Sequence, residues 1–342
     1  MKSDRISISY LVWFIFPVLT FFVIAVPLSI FFEPISGDLT RIGHWSERDF
    51  GWNKPQPAVS VHANGTSISN PQVLVLGDSF SHPNIWQSYL AESRHLEILS
   101  FQYQDVGCVD NWLKWVAGNH YSNVNTVIIQ VVERSFVPLF KHLNTCTSRV
   151  PKSFEIAEKN IIPTHPQKAL MLDAGYLIPT AANTLLTAWS NGRIVSGDVS
   201  NVPLATGKLF SNRKSNRLLY YTEDESKLGW SKKDITAAVV NLKRIQDDLA
   251  KKGLHLVVVV VPDKSSAYRQ YMVNEASRDG YPDVFEQLKD AGVNNVNLLS
   301  FFQHAMRETV DLYLPNETHL STQGYKLMAS KVAAHIYPYN DI

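Results

Sequence analysis

Ser79 and His319 are the residues whose types and settings suit nucleophilic acyl chemistry. Ser79 closes Gly77-Asp78-Ser79, directly after the apolar run Val73-Leu74-Val75-Leu76. With helical patterns elsewhere, such a run reads as a strand buried on both faces. Gly77 permits a tight turn where the strand ends. A helical pattern from about residue 84 sets Ser79 near a helix N-terminus, whose unpaired N–H groups favour developing negative charge. His319 stands in Asn316-Glu317-Thr318-His319-Leu320-Ser321, just before the last helical stretch. A serine hydroxyl needs a base to take its proton, and the imidazole needs an acid to hold its tautomer and stabilise its charge. Glu317, two residues before His319, is the acid at hand. The bland alternative is a capping serine and a surface histidine. Only a fold that brings residues 79 and 319 together separates the two.

Four further strands follow from the pattern, over 96–101, 124–132, 254–261 and 293–299. Helical stretches cover 84–94, 284–290 and 323–336, and another is opened by Ser231 with Asp234 three residues on, a capping-box arrangement. This alternation predicts an α/β fold with a doubly wound, mostly parallel sheet flanked by helices. Ligands in such sheets bind outside the carboxyl ends of the strands. Ser79, Gly107, Arg134 and Lys264 follow the first four strands, so all four are expected at one edge.

The 342 residues carry a formal net charge of +1, which gives no case for a nucleic-acid partner. Residues 6–32 contain no charge and are mostly apolar, enough for a bilayer span of roughly 20 residues. Lys2 and Arg5 precede the run while Glu33 and Asp38 follow it, so the positive-inside rule puts the N-terminus in the cytoplasm. A cleaved signal peptide would have a shorter core of about 7–15 residues and a small-residue cleavage site. We therefore expect a single-pass inner-membrane anchor over 1–34, a linker and lead-in over 35–70, and a periplasmic domain over 71–342. In that exported part Cys108 and Cys146 are expected to form a disulfide. Neither has a second ligand at metal-binding spacing.

Gly-Asp-Ser after the first strand, with an acid-x-His just before the last helix, resembles the SGNH (GDSL-like) hydrolase superfamily. Further blocks resemble its alginate O-acetyltransferase branch, the AlgX/AlgJ-type proteins. They are Gly37-Asp38-Leu39-Thr40-Arg41, Glu133-Arg134, Pro262-Asp263-Lys264 with Tyr268, and Glu317-Thr318-His319. The resemblance is weakest over 150–220, and residues of about 150–225 read as an insertion beside the site. It implies Ser79 as acyl-accepting nucleophile, His319 as general base and Glu317 as triad acid, with no cofactor and no metal. The superfamily's Gly-x-Asn-Asp block is missing, so the oxyanion donors expected are the backbone N–H groups of Ser79 and Gly107. Glu317 replaces the branch's usual Asp, and Asn316 stands where other members carry theirs.

Arg134 either steadies an anionic sugar or closes a structural ion pair. Lys264 and Tyr268 either position a saccharide or belong to a surface turn, and Trp112 and Trp115 either stack on sugar or fill core. Asp78 is expected to shape the turn through its own hydrogen bonds. The implied partners are a polysaccharide acceptor, a membrane-bound O-acyltransferase as acetyl donor, and a polysaccharide secretion complex. An exported carbohydrate esterase would use the same residues, and a scaffold with a degenerate triad is the non-catalytic alternative.

Overall fold

The computed structural model describes residues 2–33, 35–65, 67–118, 121–142, 151–161, 172–273 and 283–338. The chain divides into two compact units. One comprises Pro55–Thr164, Thr222–Tyr313 and His319–Ile342, the other Met1–Lys54, His165–Tyr221 and Leu314–Thr318.

The first unit is built on a five-stranded parallel sheet of β2 (Val73–Gly77), β3 (Ile98–Gln102), β4 (Thr126–Val132), β9 (His255–Val261) and β10 (Asn295–Asn297), in the order β3-β2-β4-β9-β10. Side chains alternate across a strand, so Leu74, Leu76, Ile129, Val131, Val258 and Val260 share one face. They form one core with the helices Val109–Ala117, Lys232–Ala250 and Val284–Asp290. Val73, Val75, Ile128, Val257 and Val259 on the opposite face are equally buried. Both faces are covered, as near-continuous apolar strands require. The helix Lys232–Ala250 opens with the Ser231–Asp234 capping box, and its buried stripe is Ile235, Ala238, Val239, Leu242, Ile245 and Leu249. A two-stranded antiparallel ladder of β1 (Val59–Val61) and β5 (Lys159–Ile161) belongs to the same unit.

From β2 the chain first adds β3 on one side and then crosses to β4 on the other. The winding therefore reverses beside β2, and the crevice outside the strand ends at such a switch point is where these sheets bind ligands. Gly77 ends β2 there, with a backbone that any residue adopts. Its necessity is spatial instead of conformational. A Cβ would lie 2.2 Å from Ser81 Oγ and 2.8 Å from Gln130 Oε1, two atoms that hydrogen-bond to each other at 2.6 Å. Gly77→Ala is expected to lower stability by about 1–3 kcal/mol through overpacking, read as a fall in the thermal midpoint.

The second unit holds the long helix Lys2–Phe32, short helices Asp38–Gly43 and Glu47–Phe50, and the helix Ala174–Trp189. It also holds an antiparallel sheet of β6 (Ile194–Ser196), β7 (Val199–Pro203) and β8 (Arg217–Tyr221). Leu39, Trp45 and Phe50 pack with Val199 and Leu219 in its core. Residues 38–50, expected as a linker, are thus folded structure. Their turn-forming composition hid three large buried side chains. Within the helix Lys2–Phe32, the stretch Ser9–Phe32 is long and apolar enough to cross a membrane.

Candidate active site

Ser79 lies in the turn that follows β2, and its hydroxyl is exposed. The next helix begins only at Ile85, behind the left-handed Asn84, so Ser79 sits in a turn and not at the helix N-terminus anticipated from the pattern. The turn is held by Asp78. Its two carboxylate oxygens accept from Phe80 N at 2.9 Å and from Val132 N, at the end of β4, at 2.6 Å. Burial raises the Asp78 pKa, while these bonds and the Gln130 side chain act against the rise. Replacing this carboxylate by an amide sets an N–H₂ against one backbone N–H. Asp78→Asn is therefore expected to cost about 1–3 kcal/mol for the unpaired donor, measured by thermal unfolding.

His319 stands on the loop that the Tyr313–Leu320 bridge closes, just before the helix Thr322–Ile336, which Ser321 caps by accepting from Gly324 N at 3.1 Å. Gly324 is packed so closely on Leu312 O, 2.2 Å from where a Cβ would lie, that only glycine fits. The imidazole Nε2 is 2.9 Å from Ser79 Oγ, and the Phe80 ring lies 4.8 Å from its centroid. Residues 240 positions apart thus meet at hydrogen-bond distance, the geometry a base needs to take the hydroxyl proton.

Glu317 belongs to the other unit, where its carboxylate accepts from Thr318 N at 3.3 Å. Asp38 accepts from the same N–H at 3.0 Å and from Tyr221 OH at 2.9 Å. Two carboxylates therefore converge on the backbone immediately before His319. Sequence reasoning placed Asp38 in a motif block but assigned it no contact with this segment, since 280 positions separate it from Thr318. Asn316 donates to Glu47 and to Ser36 Oγ, a structural role.

Gly107 ends the short helix Tyr103–Val106 that follows β3, and takes the positive φ of 79° that favours glycine. In the same unit, the last residue of β3, Gln102, is in register with Gly77, and its side chain hydrogen-bonds to His82. The Gln102–His82 pair went unnoticed in the sequence, because nothing in the spacing links the two.

Arg134, Lys264 and Tyr268 lie further inside. Arg134 Nη1 reaches Asp263 at 2.8 Å and Asp224 at 3.3 Å, the ion-pair alternative. Lys264 and Tyr268 are buried, where the motif suggested a surface turn or a saccharide contact. The Tyr268 hydroxyl accepts from Tyr313 N at 3.2 Å, and burial raises its pKa. Trp112 is buried against Phe101 and Trp115 packs edge-on to the same ring, so both fill core. Cys108 is held in a disulfide; Cys146, its expected partner, lies outside the described residues.

Beneath the site is a buried charge cluster. Lys227 Nζ donates to Asp263 at 2.6 Å, Ser266 Oγ at 2.7 Å and Glu133 at 3.0 Å, while Arg134 bridges Asp263 and Asp224. Three carboxylates surround two cations. Burial pushes Asp263 up to about 7; Asp224 and Glu133 add to the rise, against the pull of Lys227 and Arg134.

Residues 216–341 match the family model described as "SGNH hydrolase-like domain, acetyltransferase AlgX". The chain is also 26% identical over 120 residues to a Pseudomonas aeruginosa protein named "Probable alginate O-acetylase AlgJ". That match covers 34% of this chain and only 30% of the relative's length. The family-model match takes in Pro262-Asp263-Lys264, Tyr268 and Glu317-Thr318-His319, and by both likenesses the chain is similar to the AlgX/AlgJ-like branch of the SGNH hydrolases.

Proposed function

We propose that this protein is a membrane-anchored O-acetyltransferase, which carries an acetyl group on Ser79 and delivers it to hydroxyls of an exopolysaccharide. The observation that carries this reading is the 2.9 Å approach of His319 Nε2 to Ser79 Oγ at the carboxyl edge of a parallel sheet. The likeness to an acetyltransferase family and to an alginate O-acetylase supports the acetyl group and an alginate-like glycan as first choices.

In the first half-reaction His319 Nε2 takes the Ser79 proton as Oγ attacks the acetyl carbonyl. The tetrahedral oxyanion is met by the N–H groups of Ser79 and Gly107. It collapses to acetyl-Ser79, and the imidazolium returns its proton to the departing alkoxide. In the second half-reaction His319 deprotonates a glycan hydroxyl, which attacks the acetyl-serine; the proton then passes back to Ser79. Glu317 holds the Nδ1–H tautomer that leaves Nε2 free to accept. No step calls for a metal or cofactor.

The helix Lys2–Phe32 serves as a single-pass anchor in the inner membrane, with its N-terminus cytoplasmic and the catalytic domain periplasmic. A membrane-bound O-acyltransferase would then supply acetyl groups from within the bilayer, and a secretion complex would present the glycan. The reading is tested with the full chain in lipid nanodiscs, incubated with a soluble acetyl ester and a panel of oligosaccharides, while mass spectrometry follows the acetyl group. Acetylated oligosaccharide is expected. Ester consumption with acetate as the sole product would make the protein an esterase instead.

A further inference from the structure

The helix Ala174–Trp189 is amphipathic in the wrong sense for water. Its buried residues are Tyr176, Leu177, Thr180, Asn183 and Thr187, and its exposed stripe is Ile178, Ala182, Leu185 and Trp189, with Leu186 alongside. Ile178 is 68% exposed, Leu185 62% and Trp189 88%. A helix on the surface of a soluble domain turns its apolar stripe inward and its polar stripe to solvent. Here the polar side chains are the ones satisfied internally. Asn183 Nδ2 donates to the carbonyls of Gly43 and His44 at 3.1 and 2.9 Å, and Thr180 and Thr187 bond back to their own helix at 2.7 Å. No charged residue occurs in the helix; Asp173 and Arg193 lie just beyond its ends.

What covers this face follows from its neighbour. Tyr176 and Leu177 share a packed cluster with Ala25 and Phe32 of the helix Lys2–Phe32. Ala25 is seven residues inside the end of the apolar stretch Ser9–Phe32, about 10 Å at ~1.5 Å rise per residue. The two helices also line an apolar groove of about 540 Å³, to which Leu177 and Ile178 contribute from one and Phe21 and Ile24 from the other. If Ser9–Phe32 spans a bilayer, the start of the second helix is level with the acyl chains of the nearer leaflet. Interfacial helices bury their apolar face about 5–10 Å into that boundary.

We propose that Ala174–Trp189 is a membrane-embedded interfacial helix, its Ile178–Leu185–Trp189 stripe in contact with phospholipid acyl chains beside the anchor. The proposal rests on the anchor reading and goes beyond it. The protein would be held at two places, and its antiparallel-sheet unit would be fixed at the bilayer surface. Trp189 at the end of the stripe suits the headgroup level, where tryptophan is enriched.

The experiment uses the full chain in phosphatidylcholine–phosphatidylglycerol vesicles, with and without bromine on the acyl chains, and measures the fraction of tryptophan emission that bromine quenches. Trp189→Phe is expected to remove part of the quenched emission, and Ile178→Trp to add a newly quenched component. Trp13→Phe, within the span, reports on the anchor independently. If neither Trp189→Phe nor Ile178→Trp alters the quenched fraction while Trp13→Phe does, lipid does not cover this face; a protein partner or second copy takes its place, and the proposal is overturned with the anchor intact. If Trp13→Phe also leaves the fraction unchanged, the anchor reading and the proposal fall together.

Discussion

Ser79→Ala is expected to reduce acetyl transfer by about 10⁵–10⁶-fold, leaving the residual rate that binding and oxyanion donors alone provide. The loss should appear in both half-reactions, because the acetyl group has no second oxygen on which to wait. The substitution removes one exposed hydroxyl from a turn held by Asp78, Gln130 and Ser81. The variant should therefore unfold with the wild-type midpoint. Two measurements check it together: intact-protein mass after incubation with an acetyl ester, and thermal unfolding of the same sample. An acetyl-enzyme in wild type that is missing from a normally folded Ser79→Ala supports the serine route. Undiminished transfer by the variant would remove Ser79 from the chemistry and move weight to a scaffold role.

Lys227→Met is expected to destabilise the protein by about 3–5 kcal/mol, the cost of removing one partner from a buried ion-pair network. That is a large share of a typical folding stability of about 5–15 kcal/mol. Lys227 is buried and neutralises Asp263 and Glu133 directly. Burial alone would drive the proton off its amine, yet Asp263, Glu133 and Asp224 together raise its pKa. Without it, Arg134 still reaches Asp263 and Asp224, but Glu133 loses its bond to Lys227 Nζ. The damage should reach the site as well, because Glu133 and Arg134 continue directly from β4, whose end anchors Asp78. Denaturant titration of the full chain in detergent would read the loss.

The same cluster gives a pH dependence with a definite sign. Asp263 is lifted from 3.8 to about 7 in the folded chain, so between those values the native state holds a proton that the unfolded state has released. Its contribution to stability is complete below about pH 4 and is lost as the pH rises through 7. Asp263→Asn, which mimics the protonated acid, should flatten that slope in the thermal midpoint.

Much of the fold is written in local pattern. The runs 73–76, 124–132 and 254–261 are apolar because both faces of each strand are buried, and that requirement shows in single residues without any partner in view. The capping box at Ser231 and Asp234 and the apolar stretch that ends at Phe32 are equally local. Once the strands are parallel, winding rules put the turn after β2, and Ser79 with it, at the ligand-binding edge. The residue types of Ser79 and His319 were legible in advance, whereas the turn that holds Ser79 and its approach to His319 came from the fold.

Other features depended on partners far away in the chain. Lys264 and Tyr268 sit in a motif that suggested substrate contact, and packing instead put them in the interior. Gly77 is glycine because Ser81 and Gln130 meet where its side chain would be, not because of its own backbone. Asp38 reaches Thr318 across 280 positions, a contact that no spacing rule encodes. The helix Ala174–Trp189 reads as featureless from composition, since its polar and apolar stripes are exchanged. Only the tertiary structure, by packing it beside the anchor helix, decides which of its faces is buried in protein and which is left for lipid. Periodicity records how much apolar surface a segment hides; what it is hidden against is decided only when distant segments meet.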